Sequence, residues 1–505
     1  KVGNEDLEDE YNDLSKDCEE GLAFLLISED ISPDNYNKVF EFVKSLNNDI
    51  PVYLESSGRG KYEIEPLSIG SVREDEKLKN WVSSYADYLG SNEFSGVHFL
   101  FPGIVNKDIQ LEKAINEDWE IVEQKAVLIQ NEFAKSNFNS IIRDFPGFAS
   151  GEESALSIDL DEERIKNIEL KPYKTLIQKG AKYITVSNAL IRKDKESYEP
   201  FFLSEFWIEK ILIKELSYKG LIISGDIKET SEWYDARNGE MELEALMSGN
   251  HIIMNPENPR AAKRKIRNEL KRNRKFNQIF EDALKRAEML KKKSSRNEEF
   301  NENEIKLAYN NMINASTLAF DRLETLPMKN LELQNFASIE FNKRDENLFT
   351  EYLNKYAQVK YLNSPDRFDY DEKFNRLLGE IEPRSTVIIN LGKVNFEAAD
   401  LYGLGSQLIE FIEKLSLEKK VIIRSSGNPK YIDLIPINTS VIHSFEDDPM
   451  TEQIAAQIIF GARGANAALP LSLNKIQWNS GDKLESLGRL SYAFPEEVGM
   501  NSMIL

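Results

Sequence analysis

Short apolar runs alternate with longer amphipathic stretches from about Gly21 to Asn255. Gly21–Ile27 (GLAFLLI) precedes an amphipathic segment, Asn35–Leu46, which is followed by Ile50–Leu54 (IPVYL). Gly96–Phe101, Ser140–Arg143, Tyr183–Ser187, Gly220–Ser224 and Asn250–Met254 are further strand-sized runs, and Trp119–Lys135, Leu170–Lys179 and Phe206–Leu216 carry helical patterns between them. Strands separated by helices predict parallel β/α units, and this many in series predict a (β/α) TIM-type barrel ahead of a doubly wound sheet. In such a barrel, function is expected at the carboxyl ends of the strands.

Pro256 and Pro259 close this region, and a basic helical run, Ala261–Lys293, follows. Its apolar positions Ile266, Leu270, Phe276, Ile279, Phe280, Leu284 and Leu290 recur at roughly helical spacing, which favours linking helices with a solvated charged face. Asn301–Asn474 reads as a second α/β domain, with Val387–Leu391, Val421–Ser425 and Thr439–His443 as strands and Tyr402–Leu415 among its helices. Ser480–Leu505 is loop-like.

Composition narrows the function classes. The 505 residues are 41% hydrophobic and 30% charged, enough to bury ample core in two to four domains. No run of eighteen apolar residues is present, so no transmembrane segment is expected. A net charge of -22 argues against nucleic acid as the main partner, because phosphate binding needs clustered Lys and Arg. The single cysteine, Cys18, excludes an internal disulfide. No Cys/His cluster has metal-ligand spacing, and neither a Gly-x-Ser-x-Gly elbow nor a phosphate loop occurs, so no metal and no cofactor are expected.

Five local patterns carry a resemblance. In the second domain, Gly427-Asn428-Pro429 follows an apolar strand, Phe445-Glu446-Asp447-Asp448-Pro449 leads into a helix ending Phe460-Gly461, and Leu469-Pro470-Leu471-Ser472-Leu473 forms an exit. In the first, Phe145-Pro146-Gly147 sits after a strand, and Pro200–Ile223 (PFFLSEFWIEKILIKELSYKGLII) reads as a helix entering a strand. In this order they resemble family 3 glycoside hydrolases of the β-N-acetylglucosaminidase kind, over about Gly21 to Leu473. The resemblance implies a (β/α) barrel over residues 1–260, with a first strand expected before Glu5 and absent from the chain, linking helices over 261–300, and an αβα sandwich over 301–479. Residues 480–505, with Gly488–Tyr492 and Pro495–Met500, resemble the linker of a Bacteroidetes-type fusion to a C-terminal serine β-lactamase-like domain.

A retaining glycosidase needs a carboxylate to attack the anomeric carbon and an acid about 5–5.5 Å away to protonate the leaving oxygen. By resemblance the nucleophile follows the Ser at the end of the Lys-Gly strand, and that place is Gly225 in Ser224-Gly225-Asp226. Asp226 is one residue on, and in an extended segment it aims to the opposite face unless a bulge re-aims it. The family's acid/base histidine belongs in the loop after Phe-Pro-Gly, yet Phe148–Ser157 contains none, leaving Glu152 or Glu153 as substitutes. The three histidines, His98, His251 and His443, read as structural. The sugar-binding Lys-His is Arg143-Asp144, the hydroxyl-gripping hairpin is Glu55–Gly60, and the Thr-Ala-His strand end is Ser187-Asn188-Ala189, so Glu55, Arg143, Asp144 and Asn188 are the substrate-pocket candidates. Arg143 and Asp144 are also placed to form an internal ion pair.

These substitutions together imply a catalytically inactive descendant, acting as a binding or scaffold module of the cell envelope. Its expected partners are an amino-sugar glycan and envelope proteins. The alternatives are an active β-N-acetylhexosaminidase on peptidoglycan-type sugars with relocated carboxylates, and a platform for a downstream serine hydrolase domain. Relatives with the fused arrangement imply a periplasmic or cell-surface, lipid-anchored location.

Overall fold

A computed structural model describes residues 23–27, 33–45, 50–56, 62–100, 102–105, 111–147, 162–193, 197–234, 238–291, 302–313, 317–341, 348–364, 370–395, 400–481, 483–493, 495–498 and 500. The chain forms two compact units. One comprises Lys1–Glu63, Lys79–Ala114 and Asp118–Ile305, and the other Ile64–Leu78, Ile115–Glu117 and Lys306–Leu505.

The first unit is built on β1 (Leu25–Ile27), β2 (Val52–Glu55), β3 (Gly96–Leu100), β4 (Asn139–Phe145), β5 (Tyr183–Val186), β8 (Leu221–Asp226) and β9 (Ile252–Met254), paired in that order as a seven-stranded sheet. Every pairing in it is parallel. A small antiparallel hairpin, β6 (Leu190–Arg192) and β7 (Tyr198–Pro200), lies outside the sheet. A flat seven-stranded sheet would hold its edge strands almost 30 Å apart. Here Leu26 of β1 and Ile252 of β9 belong to one buried cluster with Tyr53, Ile141, Tyr183, Leu221, Ile223 and Leu290. The sheet is therefore curled, as an open barrel, around a filled interior. Gly96 is required there, since a Cβ would come within 2.6 Å of Asn139 O and 2.8 Å of Asn139 Cβ while overlapping the Tyr53 ring.

Helices lie between the strands because their sequences give them one apolar face. In α1 (Trp119–Lys135), Val122, Ala126, Ile129 and Phe133 are buried at i, i+4, i+7 and i+11, and Asp118 caps the N-terminus by accepting the Glu120 N–H at 2.8 Å. α2 (Leu170–Gln178) packs against α1. The segment Phe206–Glu215 is helical as expected, but winds as a π-helix. A short α3 (Ile227–Ser231) follows β8, and α4 (Glu240–Ser248) precedes β9. The basic run is two helices, α5 (Pro259–Arg272) and α6 (Arg274–Ala287), divided at Asn273, whose side chain accepts the Phe276 N–H at 3.1 Å.

The second unit holds a six-stranded sheet of β10 (Thr317–Asp321), β11 (Phe336–Glu340), β12 (Val359–Leu362), β13 (Thr386–Val394), β14 (Lys420–Gly427) and β15 (Ser440–Ser444), ordered β10-β15-β14-β13-β11-β12. Only β10 runs antiparallel to its neighbour. Helices α7 (Leu348–Asn354), α8 (Ser406–Glu418) and α9 (Pro449–Ile459) cover it. Ile388, Ile422 and Ile442 of the sheet, with Phe349 and Ile454, Ile458 and Ile459 of the helices, belong to one buried core.

Candidate functional site

Pairing slips at the carboxyl ends of β3, β4 and β8: register shifts fall between His98 and Leu100, Ile142 and Phe145, and Ile223 and Asp226. Bulges there re-aim side chains at the mouth of the barrel, where the chemistry of this architecture belongs.

The first group of candidates gathers at the ends of β2 and β4. Arg143 reaches Glu55 at 3.7 Å and Asp144 at 3.8 Å, and its Nη1 donates to Ser56 O at 3.0 Å. The internal ion pair expected for Arg143 and Asp144 is thus formed, with Glu55 as a second anion. Burial pushes the Asp144 carboxyl up, against the pull of the Arg143 and Lys113 cations. Asp144 takes a left-handed conformation, Phe145-Pro146 is cis, and Gly147 closes a tight turn by donating its N–H to Asp144 O at 2.7 Å. Tyr173 of α2 donates its hydroxyl to Arg143 O at 2.5 Å, and burial raises its pKa well above the ordinary phenol value.

A second group forms around β8, and it shows what became of position 225. Asn188, just past β5, and Phe202 fill the space beside Gly225: a Cβ there would overlap Asn188 Oδ1 and stand 2.7 Å from Phe202 Cδ1 and 2.9 Å from Asn188 Cγ. Hydrogen bonds hold the Asn188 side chain and the Phe202 backbone. Asn188 donates to Asp226 O and to Glu229 Oε2, both at 3.4 Å. The Phe202 carbonyl accepts the Asn250 amide at 2.7 Å and the Ser248 hydroxyl at 2.9 Å. Asn188 Oδ1 is buried without a hydrogen-bond partner.

Asp226 has a local duty. Its Oδ1 accepts the Glu229 N–H at 2.9 Å, capping α3, and both its oxygens lie 3.1 Å from the Asn255 amide that donates to them. The bulge before it does occur, but the carboxylate serves the helix it precedes. Asp226-x-x-Glu229 has the spacing of a capping box, a signal that could have been read in the sequence. Glu152 and Glu153 lie outside the described residues.

All three histidines are buried in structural contacts. His98 Nε2 lies 3.0 Å from Thr185 Oγ1. His251 Nδ1 accepts the Ile222 N–H at 2.9 Å, and burial lowers its pKa to about 4. His443 Nε2 donates to Gly427 O at 3.1 Å, Nδ1 faces the Ser425 hydroxyl at 3.0 Å, and burial lowers its pKa to about 3. This Ser–His pair is sealed in the second unit's core, out of reach of any substrate. The same unit carries a buried carboxyl that sequence reasoning missed, Glu446, which accepts the Glu65 N–H at 2.7 Å. Burial, and then the Glu65 charge, raise its pKa well above the carboxylate range. Among the described residues, no group of acidic, His or Cys side chains is placed to hold a metal, and no helix is long and apolar enough to cross a membrane.

Residues 106–290 match the sequence profile of the glycosyl hydrolase family 3 N-terminal domain. A fungal multi-domain family 3 β-N-acetylglucosaminidase superposes with a TM-score of 0.73 at 16% identity, covering 95% of this chain and 60% of that one. A family 3 β-N-acetylglucosaminidase from a Paenibacillus species superposes with a TM-score of 0.70 at 15% identity, covering 93% and 96%. The fold is that of the family 3 glycoside hydrolases. A β-hexosaminidase of Nitrosospira multiformis is 23% identical over 177 residues, 33% of this chain and half the length of that relative. The family 3 profile spans β4, β5, β8 and β9, the strands that carry Arg143, Asp144, Gly225 and Asp226, with Asn188 just beyond β5.

Proposed function

We infer that this chain is a β-N-acetylglucosaminidase-like descendant of the family 3 hydrolases whose barrel no longer cleaves glycosidic bonds, and which serves as a binding or scaffold module of the cell envelope. One observation carries the reading. Where the resemblance puts the attacking carboxylate stands Gly225, and the volume that a side chain would need is taken by Asn188 and Phe202. Covalent retention of a sugar requires a carboxylate oxygen at the anomeric carbon, and no such group is offered there. Asp226 is a poor replacement, because attack would demand giving up its contacts to Glu229 and Asn255. The Arg143–Glu55–Asp144 cluster supports retained recognition of a polar ligand, since it offers both donors and acceptors to sugar hydroxyls.

The test is incubation of the full chain with an aryl β-N-acetylglucosaminide and, separately, with a mechanism-based fluorosugar. No chromophore release above the buffer rate and no mass increase on the protein are expected. Turnover that disappears in Asp226→Asn, or a sugar adduct on any barrel carboxylate, would overturn the inactive reading in favour of a relocated nucleophile.

A further inference from the structure

Between Pro259 and Lys293 the sequence carries 14 Lys and Arg against four Asp and Glu, in a chain whose net charge is -22. So sharp a segregation of sign is itself an observation about partners. The structure sorts these cations. Along α5, Arg260, Arg264, Arg267 and Lys271 recur at i, i+4, i+7 and i+11, and all four are exposed. At about 100° per residue they fall within an arc of roughly 60°, on a line about 16 Å long. Of the buried residues of the helix, Ala262 and Glu269 lie on the opposite side, and Ala261 lies at about a right angle to the stripe. Arg274, the first residue of α6, is exposed next in sequence.

Several other cations of the two helices are paired locally. Lys265 faces Glu240 at 3.9 Å, Lys275 faces Glu205 at 3.3 Å, and Arg286 pairs with Asp282 at 2.7 Å. Among the described residues, no ion pair engages Arg264, Arg267, Lys271 or Arg274. Four neighbouring cations left without counter-charges repel one another, at a cost that an anionic partner would reverse.

We propose that the exposed stripe of α5, centred on Arg264, Arg267 and Lys271, is a docking surface for an anionic phospholipid bilayer. The character of the stripe selects this partner. A stable protein interface keeps a desolvated apolar centre, and none of the exposed large apolar side chains falls on α5. Single-stranded nucleic acid is held by aromatic stacking as well as charge, and α5 contains no aromatic residue. A straight row of cations on one helix face suits a plane of anionic headgroups, which attracts Lys and Arg without needing insertion. The attraction acts within a Debye length, about 8 Å at physiological salt, so acidic surface farther from the stripe is screened from the bilayer.

The experiment is co-sedimentation of the full chain with large vesicles of phosphatidylcholine containing 30% phosphatidylglycerol, beside vesicles of phosphatidylcholine alone and a free DNA duplex at matched phosphate concentration. Binding to the anionic vesicles in low salt, its release in 500 mM NaCl, and little binding to neutral vesicles are expected. The triple variant Arg264→Glu, Arg267→Glu, Lys271→Glu should bind anionic vesicles at least tenfold more weakly. Arg264→Gln, Arg267→Gln, Lys271→Gln should fall between, and unchanged circular dichroism would certify that both variants fold. Absence of wild-type binding to anionic vesicles, equal binding to neutral ones, undiminished binding by a folded triple variant, or tighter binding to the duplex would each overturn the proposal.

Discussion

Adding a single methyl group at position 225 asks whether the barrel mouth retains any room beside β8. The overlap with Asn188 Oδ1 and the approach to Phe202 make Gly225→Ala an overpacking change, expected to cost about 1–3 kcal/mol. Asn188→Ala removes the amide that meets the new Cβ, so the two substitutions should couple. In the Asn188→Ala background, Gly225→Ala should cost less by about 0.5 kcal/mol or more, read from urea midpoints in a double-mutant cycle. Strict additivity would mean that the amide swings aside and that position 225 is less obstructed than its neighbours imply. The same geometry predicts that Gly225→Asp alone generates no hydrolase activity. The glycine was legible in the sequence, as were Asp226 and the loss of a loop histidine. The obstruction was not, because it depends on side chains from β5's exit and from the turn at Phe202, brought together only by folding.

At the scale of the element, strands buried on both faces were the easiest to read. β8, β13 and β14 are runs of Val, Ile and Leu, as parallel strands covered on both sides must be. β11 and β12 are hard to read because they are short and carry polar residues, such as Ser338 and Glu340, whose burial nothing local announces, and β10 offers only three apolar residues in a row. Glu340 is held by the Thr350 N–H at 3.0 Å, a partner ten residues away. Between β14 and β15, the neutral ring of His443 joins Ser425 to Gly427 O, and this contact has a pH signature. The unfolded ring titrates near 6.5 and the folded one near 3, so between those values the unfolded chain binds a proton that the folded chain refuses. The stability this ring contributes is therefore present above pH 6.5 and lost as pH falls toward 3. Glu446 acts with the opposite sign, since its raised pKa lets the folded chain keep a proton as pH falls. A variant comparison removes that background. The stability advantage of wild type over His443→Gln should shrink by up to about 1.4 kcal/mol per pH unit below 6.5, measured by denaturant unfolding from pH 7 to 4.5. Parallel profiles would mean that the folded ring takes up its proton as readily as the unfolded one.

Over the whole molecule, charge sets the balance that individual pairs cannot. The chain carries 86 acidic and 64 basic side chains, and many of its ion pairs are exposed contacts three or four residues apart, such as Lys135–Glu132, Lys166–Glu162 and Arg376–Glu380. Pairs of that kind contribute little, whereas the excess negative charge opposes compaction across the entire surface. Salt screens both, but the long-range repulsion is the larger sum. Raising NaCl from about 20 mM to about 200 mM shortens the Debye length from roughly 20 Å to 7 Å, and the unfolding midpoint should rise with it. Calorimetry in chloride at fixed pH checks this, because a midpoint that falls with salt would mean that local pairs outweigh the net charge. The triple Glu variant of α5 separates the contributions further. It makes the chain more negative while removing a self-repelling row of cations, so its midpoint should be more salt-sensitive than wild type if repulsion between distant charges dominates. If crowding within the stripe dominates instead, the variant should be the more stable protein at low salt. In the sequence the basic run reads as a solvated helical face, which its mean composition supports. Only the structure distinguishes the cations neutralised by neighbours from those aligned on one face of α5, and that distinction decides which of the two electrostatic outcomes the variant will show.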